Sequence, residues 1–337
     1  RYANGSRQIY PFGNVWADFP LFSGGHYGVQ LFFAVSGFVI TMTLTRCDTV
    51  LEFAVRRWAR LWPAMLLCSI LTFLFLSIFP IYWNKQLADF LPSLTFIDGH
   101  FYEILMPGRT FEWIDGAYWS LFVEVRFYAI VALLYFFDKD RFFKHVTIFS
   151  VFSILGYWAI KLLKLDSYSA IYQAVFIPGY LPWFLIGISA YCWHVKCKYW
   201  SIVVLAVVVS KIFASAVFSG GWTDLAVGSA IVLAFMGAFI SHWVRAILSA
   251  GWLVAIGISS YSLYLLHQNI GVTAFTLLAN ACAVPNTGAL VIPVCVSLLM
   301  IGCARSVYRY WEAPMNSWIV KAYIARLKSR AEKAVIV

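Results

Sequence analysis

Two charges stand inside an apolar stretch of this chain, 117-AYWSLFVEVRFYAIVALLYFF-137: Glu124 and Arg126. Ionised groups in hydrocarbon are expensive, so they pair with one another, line a cavity or take part in chemistry. Glu124 would lie about 9 Å below the outer end of this stretch at 1.5 Å per helical residue. Ser120, Glu124 and Tyr128 recur every four residues and share one helical face, whereas Arg126 is turned about 200° from Glu124. The two charges are therefore not an intrahelical pair. A second polar cluster, Tyr261, Ser262, Tyr264 and His267, stands in 257-GISSYSLYLLHQNIG-271. His267 falls about 10 Å from the outer end of its own apolar stretch, a depth similar to that of Glu124. A histidine, a carboxylate and several hydroxyls in one layer could take a proton from an alcohol. The same groups could instead form a satisfied network that pins helices together.

At the other edge, 53-FAVRRWARLWP-63 places Arg56, Arg57 and Arg60 at the start of a helix. The positive end of the helix dipole and the planar guanidinium forks suit phosphate groups. Charge that sets topology and faces anionic lipid is the alternative. Between the two layers, 28-GVQLFFAVSGFVI-40 carries Ser36 and Gly37. Small residues of this kind let helices approach closely, and they could equally line a narrow passage. The fragment Cys192-Trp193-His194 with Cys197 supplies too few ligands for a zinc site, and no metal is expected.

The elements that must carry these groups follow from composition. Of 337 residues, 62% are hydrophobic and 12% charged, with a mean hydropathy of +0.79, whereas about a quarter of residues are charged in soluble domains. An all-α integral membrane protein, a polytopic helix bundle, is expected. Runs of about 18 or more apolar residues at 27–45, 60–80, 118–137, 146–163, 172–193, 200–218, 225–243, 252–279 and 288–305 predict nine spans. Pro63, Pro178, Gly179, Pro182 and Pro293 do not veto them, because packed membrane helices tolerate such residues. The apolar run at 87–97 is too short to span and reads as interfacial or re-entrant.

Seventeen of the 25 Lys and Arg residues fall on one side if the first of these spans runs inward. The positive-inside rule then fixes a multi-pass topology with a cytoplasmic C-terminus. The net charge of +10 needs no nucleic-acid partner to explain it. The seven cysteines form no disulfide framework in the external loops. Residues 1–26 are polar and aromatic with no signal-peptide pattern. This topology puts them outside and asks for a further helix before Arg1. Residues 1–310 read as one membrane domain. The tail at 311–337 mixes Trp, Ile and Tyr with Lys and Arg at helical spacing, as an amphipathic interfacial helix on the cytoplasmic face would.

The strings GVQLFFAVSGFVI, RRWARLWP, YWSLFVEVRFY, ISSYSLYLLH and YRYWEAP, in this order along most of the chain, resemble the membrane acyltransferase-3 family. Each is weak alone, and the five together are specific. The resemblance implies a bundle of about ten helices in the bacterial cytoplasmic (inner) membrane. It would move an acetyl or other short acyl group from cytoplasmic acetyl-CoA (or another acyl-CoA) to a hydroxyl of a cell-surface glycan or lipid-linked sugar. By the same likeness Arg56, Arg57 and Arg60 would bind the donor phosphates and Glu124 would be catalytic, with a histidine on a helix preceding Arg1. Ser36, Ser120, Arg126, Tyr128, Tyr261, Tyr264 and His267 would line the tunnel or touch substrate. His26 follows that helix and would shape the external mouth. Arg126 departs from the family pattern, which often has an uncharged residue there.

The implied chemistry is general-base acyl transfer, in which a histidine oriented by Glu124 deprotonates the acceptor hydroxyl for attack on the thioester. A covalent acyl-enzyme route stays open. The rival reading is a secondary transporter or glycan flippase, because buried Glu, Arg and His also serve proton coupling. The arginine cluster suits CoA better, and no internal repeat is visible.

Overall fold

In the computed structural model every element among the described residues is helical. The structure describes residues 27–219, 222–282 and 288–335; His26 lies outside them. The main helices are α1 (Gly28–Leu44), α2 (Val50–Ile78), α3 (Trp119–Phe137), α4 (Phe142–Leu162), α5 (Asp166–Phe176), α6 (Leu181–His194) and α7 (Lys198–Ser219). They are followed by α8 (Trp222–Ile240), α9 (His242–Leu248), α10 (Gly251–Ile258), α11 (Ser260–Leu266), α12 (Asn269–Cys282), α13 (Gly288–Val307) and α14 (Ala313–Val335).

Five helices among the described residues are long and apolar enough to cross a membrane: Val50–Ile78, Gly116–Phe137, Phe142–Leu162, Ser167–His194 and Val291–Arg326. Leu225–Ile240 and His242–Leu248, bent by 100°, make a sixth if they count as one broken span. Of the nine expected spans, 60–80, 118–137, 146–163, 172–193 and 288–305 overlap these five helices, and 225–243 overlaps the bent pair. The predicted span 252–279 is divided into α10, α11 and α12, with breaks at Ser259 and at His267–Gln268. At the second break the Asn269 amide leaves the helical ladder for Asp115. The predicted span 27–45 is helical over only 17 residues. The segment 87–97 forms two short helical pieces, Leu87–Asp89 and Phe90–Thr95, too short to span, as its length required.

Local chemistry explains the interruptions. Pro178 lacks an N–H and disfavours helix in the residue before it, so α5 stops at Phe176 and α6 restarts at Leu181 with Pro182 in its first turn. At the 100° bend, Ser241 takes an extended N-cap conformation and accepts from Val244 N. Arg245 Nη1 reaches back 2.7 Å to the Phe239 carbonyl at the end of α8. The bend is therefore capped on both sides, as a backbone break in an apolar setting must be.

The chain divides into two compact units. In the unit made of Gly24–Phe53 and Val123–Ala250, α1 and α6 cross closely enough that glycine is required on both. A Cβ on Gly37 would overlap the Phe184 carbonyl, and one on Gly187 would overlap the Ala34 carbonyl and the Phe38 amide. Phe184 then stacks on Phe127 at 4.0 Å and meets Phe33 at 4.6 Å, while Thr45 and Tyr191 share a hydrogen bond of 2.7 Å. Helices α6 and α7 are tied by a reciprocal pair, Ser189 Oγ to the Ser201 carbonyl (2.8 Å) and Ser201 Oγ to the Ser189 carbonyl (2.9 Å). On the outside of this unit, Leu133, Phe137, Ile148 and Leu155 are exposed, an arrangement that hydrocarbon tolerates and water penalises.

In the other unit, which contains Ala54–Phe122 and Gly251–Val337, the segment between α2 and α3 is an ordered polar structure. Asp89 accepts from the amides of Gln86 (2.8 Å) and Glu112 (3.0 Å), Ser93 Oγ accepts from Ile114 N (3.2 Å), and Lys85 pairs with Glu112 at 2.6 Å. Tyr82 reaches Thr276 on α12 at 3.1 Å.

Gly187→Val should lower the thermal midpoint of the purified protein, at a cost of about 1–3 kcal/mol or more, because the atoms it meets are backbone and cannot swing away. Gly237→Ala, where a Cβ meets nothing within 4 Å, should leave the midpoint unchanged in the same assay.

Candidate functional site

Glu124 is 5% exposed and sits on α3. Ser36, on α1 and also buried, donates its hydroxyl to Glu124 Oε1. Both lie in the unit that carries the α1–α6 crossing, and Ser36 is adjacent to Gly37. A hydroxyl donor on a carboxylate oxygen fixes the orientation of the group. In the same unit, Arg126 is half-buried and close enough to Tyr180 for its charge to act on the phenol. Tyr128, on the face of Glu124, is buried with its ring edge-on to Phe53 at 6.3 Å.

The other unit holds Ser120, Tyr261, Tyr264, His267 and the three arginines. The Tyr264 hydroxyl bonds the Ala117 carbonyl and lies 2.7 Å from Ser120 Oγ. A carbonyl only accepts, so Tyr264 donates to Ala117 and Ser120 donates to Tyr264. The same logic fixes His267, whose Nδ1 stands 2.7 Å from the Tyr264 carbonyl. That nitrogen must carry a proton. His267 is exposed, in contrast to the buried hydroxyls around it.

Asp115, which the motifs did not single out, organises this cluster. It is fully buried just before α3 and accepts from Ala117 N and from Asn269 N, each at 2.8 Å. One carboxylate thus caps both the helical turn that starts α3 and the first residue of α12, where four amides otherwise lack partners. Asn269 Nδ2 adds a bond of 3.0 Å to the Ile114 carbonyl. Burial pushes the Asp115 carboxyl up from its ordinary 3.8 to about 6, against the pull of the two amides and of His267 and Lys85. The sequence signal for this residue was a lone Asp directly before a small-residue helix start.

Arg56, Arg57 and Arg60 are all half-buried on α2, which begins at Val50, so they stand inside the helix and not at its start as the sequence suggested. At 100° per residue Arg56 and Arg60 are about 40° apart, and Trp58 and Trp62 lie on the opposite side. The two indoles stack at 5.1 Å, and Trp58 is exposed. Tryptophan pairs at a helix end are typical of a membrane interface. One face of α2 is therefore suited to the interface and the other gathers guanidinium groups. Arg60 forms an ion pair with Glu312 and lies over the Tyr261 ring at 5.4 Å. Tyr261 in turn donates to the Leu61 carbonyl at 3.0 Å. Glu312 was not singled out from sequence, although it stands in the string YRYWEAP; its second partner, Ser262, belongs to the polar cluster that was. Among the described residues no group of three or more His, Cys, Asp and Glu side chains gathers to hold a metal ion.

The chain's similarities fall along its whole length. A family model described as an acyltransferase domain matches residues 4–308. The chain is 25% identical to O-acetyltransferase OatA of Staphylococcus aureus (strain MRSA252) over 94% of its own length and 57% of the relative's. The same protein from strain NCTC 8325 / PS 47 is 25% identical over 93% of this chain and 56% of its own. An O-acetyl transferase of Shigella phage Sf6 is 39% identical over 51 residues, 15% of each chain. The chain thus spans little more than half the length of the Staphylococcus relatives it matches. No solved structure matches it.

Because the folded-state pKa of Asp115 is raised, the folded protein binds the extra proton between pH 4 and 6, roughly. The stability contributed by this group is therefore present at low pH and lost as pH rises through about 6. Asp115→Asn should flatten that part of the profile relative to wild type, read as the difference in thermal midpoint between pH 4 and pH 7. Equal slopes in the two proteins would show that Asp115 does not titrate there.

Proposed function

This chain belongs to the acyltransferase-3 family, and on that premise we propose that it is an integral-membrane O-acyltransferase. The acyl group is acetyl, the donor is cytoplasmic acetyl-CoA, and the acceptor is a hydroxyl of an extracytoplasmic polysaccharide or glycolipid. The setting is a bacterial cytoplasmic membrane, with the C-terminus inside and α14 lying on the inner leaflet. Apolar helices of spanning length and the O-acetyltransferase names of the relatives support this reading. The observation that carries it is the buried carboxylate Glu124, held by the Ser36 hydroxyl inside an apolar helix.

In the proposed reaction the acceptor oxygen attacks the thioester carbonyl. A C–O bond forms, the C–S bond breaks, and the hydroxyl proton ends on the CoA sulfur. Glu124 supplies fixed negative charge that orients the base and stabilises it once protonated, the role a buried carboxylate plays beside a histidine. Ser36 keeps that carboxylate in one orientation. Arg56, Arg57 and Arg60 hold the donor's phosphates, for which planar guanidinium forks are suited. Ser120, Tyr128, Tyr261, Tyr264 and His267 position helices or substrate hydroxyls, and Arg126 offers a cation to an anionic acceptor.

A transporter with proton-coupling carboxylates would share the buried Glu124 but would cleave no thioester. Glu124→Gln in the full-length protein should abolish transfer of radiolabel from acetyl-CoA to surface glycan, while insertion and thermal midpoint stay near wild type. Full activity in that variant would remove Glu124 from the mechanism. Arg56→Ala should weaken CoA binding about tenfold at low salt and less at high salt, because exposed charge contacts are screened. An unchanged affinity would return the arginines to a topological role.

A further inference from the structure

We propose that Glu312 is a positioning residue for the acyl-donor site: it holds the Arg60 guanidinium in one orientation for phosphate and never touches the donor itself. The inference rests on the reading of Arg56, Arg57 and Arg60 as the donor-phosphate site. Glu312 is completely buried at the end of a π-helical turn, Tyr308–Glu312, between α13 and α14. Such turns shift the side chains that follow them by extra rotation and recur at functional sites.

Both carboxylate oxygens are engaged by different helices. Oε1 meets Arg60 Nη1 on α2, and Oε2 accepts from Ser262 Oγ on α11 at 2.6 Å. Oε1 has no hydrogen bond besides that ion pair. A buried carboxylate without its cation would be strongly unfavourable, so Glu312 ties Arg60 down rather than the reverse. The Tyr261 ring covers the guanidinium at 5.4 Å, and Tyr261 is itself fixed to α2 through the Leu61 carbonyl. Trp311, next to Glu312, donates Nε1 to the Pro63 carbonyl at 2.8 Å. Contacts from 261–262 and from 311–312 therefore converge on one turn of α2, between Arg60 and Pro63.

Arg60 nevertheless keeps 34% of its side chain exposed. A guanidinium has five N–H donors, and one carboxylate oxygen at one terminal nitrogen uses few of them. The remaining donors form a fork that is already ordered, so a phosphate meeting it need not freeze a long flexible side chain. An alternative role for Glu312, simple neutralisation of one arginine, predicts the opposite effect on donor affinity. Removing a negative charge beside the arginine cluster would then strengthen phosphate binding, whereas removing a positioning group weakens it.

The test uses the full-length protein in lipid nanodiscs, with CoA binding measured by calorimetry and acetyl transfer measured at increasing acetyl-CoA. Glu312→Gln keeps the shape and removes the charge. It should raise the Kd for CoA and the KM for acetyl-CoA about three- to tenfold, with kcat at saturating donor within about twofold of wild type. Ser262→Ala keeps both charges and removes the donor that fixes Glu312. It should shift the same parameters in the same direction by less, and it supplies the readout if the glutamine variant does not insert. Wild-type or tighter CoA affinity in a folded Glu312→Gln protein, or in Ser262→Ala should the former fail to fold, overturns the proposal. If wild-type affinity depends on Arg56 while these variants bind normally, the positioning role falls and the donor site stands. Wild-type protein that binds no CoA overturns both.

Discussion

A carboxylate inside an apolar helix bundle must be met by a donor, and this requirement accounts for the helix pairings around Glu124, Asp115 and Glu312. Water is not at hand to solvate the charge, and a buried unpaired carboxylate is among the costliest features a fold can carry. Glu124 is met by Ser36 from α1. Asp115 is met by the amides that open the α3 turn and α12. Glu312 is met by Arg60 and Ser262 from α2 and α11. In each case at least one partner comes from a different helix, so satisfying the charge also fixes how helices pack.

The apolar packing is arranged to permit those meetings. Gly37 and Gly187 let α1 and α6 cross with backbone against backbone, which settles the orientation of α1 and hence of Ser36. In hydrocarbon no hydrophobic force drives helices together, and close van der Waals contact through small residues takes its place. Around α2 the fixing agents are polar instead. The Leu61 and Pro63 carbonyls receive Tyr261 and Trp311, within one turn of the arginine that pairs with Glu312.

The breaks in the helices belong to the same logic. A serine at 259 and the His267–Gln268 turn stand where an uninterrupted apolar span was expected, and the second of these breaks frees the Asn269 amide for a bond to another segment. That amide goes to Asp115. A continuous helix would have used the Asn269 amide in its own ladder. The polar cluster in this unit depends on the interruption.

Much of this was legible in one dimension. Composition alone dictates a helical membrane protein, because a chain with so few charges cannot be solvated by water and backbone groups in lipid must be satisfied within helices. Glu124, the arginine trio and the strings around them also stand out locally, since a charge in an apolar run is conspicuous without any neighbour. What the sequence does not contain is the choice of partner. Ser36 lies 88 residues from Glu124, Ser262 lies 50 from Glu312, and Asp115 lies 154 from Asn269. No local periodicity encodes such pairings, because they depend on which helices become neighbours and at what rotation. Tertiary structure alone decided where the long apolar segment at 252–279 breaks, which donor each buried carboxylate takes, and that Arg60 is shared with Glu312.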